Sequence, residues 1–260
     1  ADMRFLLYHH DPAWGFRAAF DPYVDIYPQF FTDRVEEDGI WVAHADLDSI
    51  TDIEDFRVKF HESGNSRIYA YDDSVDAYTL RYLGEPWGYR LYLPQEISPS
   101  DYGAVMDQVH DLLSDPVANT RRWANAILSS GEYDAQGGFR YEAGGSSYNP
   151  VAAFSLNADP NIDIPEYQPN RAQQGWKEST KEPYYHPEWG ILDGEYIDSF
   201  EHGALLSNYR EEHFSFTQHP LTFDSTEKRP VLPHLFSCYD FVDWVRSEER
   251  RVGKECVSEC

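Results

Sequence analysis

Apolar positions fall into short continuous runs near the start of the chain and into helical spacing further on. Residues 3–9 (MRFLLYH) form one unbroken run, the pattern of a strand buried on both faces. Residues 39–44 (GIWVAH) repeat it. Between them, residues 16–31 are aromatic and interrupted by Pro22 and Pro28, which predicts broken turns of helix. Residues 49–60 (SITDIEDFRVKF) set Ile50, Ile53, Phe56 and Phe60 at helical spacing, with Ser49 or Thr51 as cap. Residues 67–71 and 77–83 read as strands paired across the polar DDSVD turn, and the alternating 89–93 (YRLYL) adds another.

The clearest element follows. Ser98-Pro99-Ser100-Asp101 predicts a helix start, with Ser98 as cap, Pro99 at the first position and Asp101 completing a capping box. Val105, Met106, Val109, Leu112 and Leu113 form its apolar stripe, and Asp115-Pro116 ends it. A second helix is predicted over 117–130, with Trp123 and Ile127 inward and Gly131 as the stop. Residues 132–190 change character: Gly pairs lie among Tyr, Asn, Pro and Ser, and only 151–156 reads as a strand. Residues 198–216 predict a helix, and 220–245 reads as aromatic loop. Strands mixed with helices imply an α+β fold with a mixed sheet and a long irregular Gly/Pro/Tyr-rich segment. The expected organisation is an α+β core over 1–131, an irregular segment over 132–190, and a C-terminal helix with loops over 191–245.

The last fifteen residues share nothing with what precedes them. Residues 246–256 (RSEERRVGKEC) match the first-frame translation of a common sequencing adapter, so the expectation is that 246–260 is no natural part of the fold. That tail carries four basic residues and four acidic ones, so the formal charge of −25 belongs to the body. Such a field repels nucleic acid and anionic membrane; it suits a neutral substrate, a divalent metal or a basic protein surface. Excess Asp and Glu with few lysines also resembles halophilic composition, in which case the charge reports habitat. Cys238 is the only cysteine outside the tail, which rules out a disulfide framework and a Cys-based zinc site and fits a reducing, cytoplasmic compartment. It reads as a buried core thiol.

Three predicted strands end in imidazole or carboxylate: His9, His10 and Asp11; His44 and Asp46; Asp72 and Asp73. The carboxyl ends of parallel strands gather at one sheet edge, where ligands bind. Were these strands neighbours, His9, His10, His44 and Asp46 would present the ligands of a zinc or manganese ion, and Asp11 and Asp72 the catalytic carboxylates. The plainer reading is that Asp closes strands because it makes turns. His202 and His213, eleven residues apart, would share a face of a helix but lie about 16 Å apart, too far for one metal. In the middle segment, Tyr141, Tyr148, Tyr167 and Trp176 alternate with Glu142, Asp159, Asp163 and Glu166. Aromatic platforms beside carboxylates are the materials of a sugar-binding cleft, and Glu142 is the candidate acid there; the alternative is an irregular aromatic core.

No GxxxxGK[ST], GxGxxG, GxSxG, HExxH or CxxC pattern occurs. Two function classes remain. One is a divalent-metal- or carboxylate-dependent hydrolase of a neutral substrate such as a glycan. The other is a non-catalytic acidic interaction protein, a DNA mimic that blocks a DNA-binding enzyme or an assembly component.

Overall fold

The computed structural model describes residues 40–41, 58–62, 66–75, 77–83, 86–186, 188–197 and 206–251. In chain order the elements are β1 (Ile40–Trp41), β2 (Val58–Glu62), α1 (Ser66–Ser74), β3 (Tyr78–Tyr82), β4 (Gly88–Tyr92), α2 (Tyr102–Asp111), α3 (Ala118–Ser130), β5 (Tyr141–Ser146), β6 (Asn149–Ser155), α4 (Arg171–Gly175), α5 (Glu178–Lys181), β7 (Gly194–Tyr196), β8 (Ser207–Asn208), β9 (Thr222–Asp224), β10 (Arg229–Pro233) and α6 (His234–Arg251). The fold class is α+β, with the parallel and antiparallel pairings in separate sheets. Among the described residues no helix is long and apolar enough to cross a membrane.

The chain divides into two compact units. The first comprises Ala1–Tyr82 with His186–Tyr196, the second Leu83–Tyr185 with Ile197–Cys260. In the first, four parallel strands run in the order β1-β2-β3-β7. Helix α1 connects β2 to its parallel neighbour β3, so the segment that reads as a strand, RIYAY, is helical. The reason lies in its burial. Ile68, Tyr69 and Asp72 are the buried positions, spaced as one helical face, and Asp72 belongs to the helix rather than to a strand end. Residues 58–60, expected to end a helix, belong to β2. The predicted elements over 3–9 and 16–31 lie outside the described residues.

The second unit holds the antiparallel sheet β4-β6-β5 and the small sheet β8-β10-β9. Leu91, Val105, Val109, Ile127, Phe154 and Leu156 bring one sheet face together with α2 and α3 in a common core. Asp101, not Ser98, caps α2, accepting from the Ala104 amide at 3.1 Å; the Ser98 carbonyl instead closes a turn onto the Asp101 amide. Gly131 ends α3 as expected, but with extended backbone: a Cβ there would strike the Phe139 ring and the Ile127 carbonyl.

The segment 132–190 holds more regular structure than its composition suggests. β5 and β6 form a hairpin, and Gly145, next to the last residue of β5 and opposite Pro150, sits at φ +82°. β6 covers most of the expected strand over 151–156, whereas β5 carries few large apolar side chains, which hides it from periodicity; residues 157–170 remain irregular. Residues 206–216 are not the expected α-helix but β8 and a 3-10 turn over Glu211–Ser215. Residues 234–245, expected as loop, are helical, and helix α6 runs on through 246–251, the start of the adapter-like tail. Its buried residues His234, Ser237, Cys238, Phe241 and Val245 keep helical spacing, and the polar members disguise the stripe.

Candidate functional site

Around the start of β8 and the end of α3 the second unit closes several buried polar contacts. His213 sits in the 3-10 turn, not on the expected α-helix, and is fully buried. Its Nε2 donates to the Ser129 carbonyl at 2.9 Å, and Nδ1 accepts from Asn208 Nδ2 at 2.9 Å, with Asn157 Nδ2 at 3.3 Å. Burial, reinforced by the Arg210 guanidinium, pushes its pKa down to about 3. The ring is therefore neutral at physiological pH, a structural tie and not an acid–base group.

Arg210, also buried, is fixed from three sides. Nη1 donates to the carbonyls of Leu128 (2.9 Å) and Gly131 (3.1 Å), Nε donates to Glu212 (2.9 Å), and the guanidinium covers the Tyr133 and Phe139 rings. These groups form one wall of an open cleft of about 350 Å³, lined by His110, Tyr133, Phe139, Tyr167, Arg210 and the carboxylates Glu166 and Glu212, with Leu128 and Ile164. Tyr133 and Phe139 meet edge to face at 5.0 Å. Helix α2 presents His110, α3 presents Leu128, and the irregular stretch after β6 presents Ile164, Glu166 and Tyr167. The cleft thus combines aromatic and apolar side chains with Arg210, His110 and the exposed carboxylates Glu166 and Glu212. No family model, curated protein or solved structure matches the chain.

Two further clusters lie in this unit. His234 donates from Nδ1 to Glu132 Oε1 at 2.8 Å, and its Nε2 faces Cys238 Sγ at 3.8 Å; all three side chains are buried. Burial alone would pull His234 down. The Glu132 carboxylate, with help from Cys238, outweighs that and pushes it up to about 10, so it is an imidazolium within an internal ion pair. Cys238 is the expected buried free thiol. Elsewhere His219 Nε2 donates to Asp240 Oδ1 at 2.8 Å, its ring stacked on Phe236. Asp159 is buried near that pair; burial raises its pKa, against hydrogen bonds from Asn161 that lower it.

In the first unit Asp72 is fully buried and accepts from Thr79 Oγ1 at 2.7 Å and from His61 Nδ1 at 2.9 Å. His9, His10, Asp11, His44 and Asp46 lie outside the described residues. Glu142 is exposed on β5, in the other unit from Asp72. Among the described residues no three His, Cys, Asp or Glu side chains gather as a metal would need. Of the aromatic and acidic residues singled out in the middle segment, Tyr167 and Glu166 line the cleft. Glu212 stands out in the sequence only as a neighbour of His213, and Arg210 and Tyr133 do not stand out at all. NYREEHF reads as a charged helix face, and only the long-range bonds of Arg210 to α3 show otherwise.

Proposed function

We propose that the protein is a carboxylate-dependent hydrolase of a neutral, hydroxyl-rich substrate such as a glycan, bound in the Arg210 cleft. The observation that carries the reading is the composition of that cleft: Glu166 and Glu212 border the same cavity as the rings of Tyr133, Phe139 and Tyr167. Aromatic faces match the C–H faces of sugar rings, and carboxylates accept from hydroxyls. Among the described residues that line the cleft the one guanidinium, Arg210, already pairs with Glu212, so they offer little to an anion. In hydrolysis one carboxylic acid gives its proton to the glycosidic oxygen as the C–O bond breaks. The other takes a proton from the attacking water or attacks the sugar carbon itself. The Arg210 pair orients the Glu212 carboxylate for that second role.

Titration calorimetry with neutral gluco-, xylo- and galacto-oligosaccharides tests the binding half. Saturable binding that weakens at least about tenfold in Tyr133→Ala, as expected for an aromatic platform worth on the order of 1.4 kcal/mol, supports the reading. Binding by none of the three, or binding untouched by Tyr133→Ala, rejects it.

A further inference from the structure

In the second unit the sheet β4-β6-β5 ends on β5, whose residues 142–146 are exposed. The Ser155 amide donates to the Arg140 carbonyl, and this sets the alternation of the ladder between β6 and β5. Bonded and non-bonded pairs alternate along antiparallel strands, so Glu142 and Gly144 turn their backbone groups toward β6. The amides and carbonyls of Tyr141 and Ala143 therefore point away from β6, toward the free edge. The other side of β6 agrees: the Leu93 amide donates to the Pro150 carbonyl, so every second residue of β6 from Pro150 onward faces β4. Among the described residues no strand pairs with the outer edge of β5.

Sheets ordinarily guard such an edge with a lysine, a proline, a bulge or a covering segment. β5 (YEAGGS) contains neither lysine nor proline, and its register with β6 is unbroken from Tyr141 to Ser146. Gly144 is a second sign. A Cβ there would meet nothing, so the fold itself does not demand glycine at this position. Glycine inside a strand weakens it and often marks the close approach of another backbone. The side chains along the edge set its chemistry. Glu142 is exposed on the face turned from the core. On the other face Tyr141 stacks with the exposed ring of Tyr102 at 6.1 Å. Asp101, the cap of α2, adds a second carboxylate: after burial and Tyr102, it helps push the Tyr141 hydroxyl pKa upward. Arg140, just before the strand, is already engaged by the Ser207 carbonyl.

We propose that β5 is the docking edge for an extended segment of a basic protein, which adds to the sheet as a further strand with lysines or arginines beside Glu142 and uncharged side chains over Tyr102 and Tyr141. Backbone hydrogen bonds to Tyr141 and Ala143 supply the pairing, and the carboxylates select the charge of the partner. The net charge of −25 draws such a segment in and disfavours a second copy of this chain in the same place. The proposal does not rest on the glycan reading of the cleft.

The test uses the full chain and a fluorescent peptide that alternates threonine and lysine, read by anisotropy, with a threonine–glutamate peptide as control. Saturable binding of the lysine peptide and none of the control is the expected result. Ala143→Pro removes an edge amide while leaving every charge and the ladder to β6 in place, and weakens binding at least about tenfold with little change in Tm. Glu142→Lys, at an exposed position, weakens it by a similar factor. Hydrogen exchange on the parent protein reads the pairing without any variant: the amides of Tyr141 and Ala143 slow when the lysine peptide binds. No saturable binding by the parent, or equal binding of the control peptide, overturns the proposal. So does parental affinity in Glu142→Lys. Parental affinity in a folded Ala143→Pro, or unchanged exchange at Tyr141 and Ala143, overturns it too, since the attraction is then one of charge alone.

Discussion

His213 sets how the second unit responds to acid. In the unfolded chain its imidazole titrates near the ordinary 6.5; in the fold burial and Arg210 hold it down to about 3. A depressed histidine stabilises the fold above its unfolded value and loses that contribution as pH falls toward the folded one. The whole gap corresponds to about 5 kcal/mol, at about 1.4 kcal/mol per pH unit. At pH 5.0 only the part between 6.5 and 5.0 has been spent, about 2 kcal/mol. His213→Gln isolates this term, because glutamine can donate to the Ser129 carbonyl and accept from Asn208 without titrating. Denaturant unfolding followed by tryptophan fluorescence, at pH 7.5 and pH 5.0, measures the difference between parent and variant. Carboxylates titrate in both proteins and cancel. The variant is less stable at pH 7.5, having lost a packed ring, and the gap between the two narrows by about 2 kcal/mol at pH 5.0. An equal gap at both pH values refutes the argument, since it would mean His213 binds its proton as readily folded as unfolded.

The remaining predictions concern other parts of the same unit. His234, pushed up to about 10 by Glu132, stabilises the fold fully below pH 6.5 and loses that contribution as pH rises through 10; Glu132→Gln flattens the alkaline limb of a stability–pH curve, and an unchanged limb contradicts the pairing. Gly145→Ala forces a side chain into φ +82° and against the Asn149 carbonyl, so it costs about 2 kcal/mol or more, read as a drop in Tm; an unchanged Tm rejects that backbone conformation at the end of β5. Phe154→Ala empties the centre of the core shared by the sheet with α2 and α3 and costs about 3–5 kcal/mol in denaturant unfolding, where a loss under about 1 kcal/mol would show that Phe154 is not buried there.

Where one apolar stripe and one cap agree, the sequence is readable: α2, α3, β3, β4 and most of β6 follow directly from it. Reading fails where burial falls on polar or ambiguous residues. Tyr69 and Ile68 suit a strand as well as a helix, and the deciding neighbour is Asp72, whose burial makes sense only with His61 and Thr79 beside it. Helix α6 hides for the same reason, its stripe including His234 and Ser237, one satisfied by Glu132 and the other by a helix carbonyl. The hairpin of β5 and β6 fails differently: Gly144 and Gly145 and exposed positions leave β5 no alternation to detect. At the cleft, Glu166 and Tyr167 stand out by residue type. Arg210 does not, because its meaning lies in bonds to carbonyls about eighty positions away in sequence.

The most direct test of the cleft as a hydrolytic site is sugar release from neutral oligosaccharides by the parent protein, Glu166→Gln and Glu212→Gln. The account predicts turnover of at least one oligosaccharide by the parent, with kcat reduced about 100-fold or more in each variant and KM little changed. No release from any of them by the parent, or parental kcat in both variants, would contradict it.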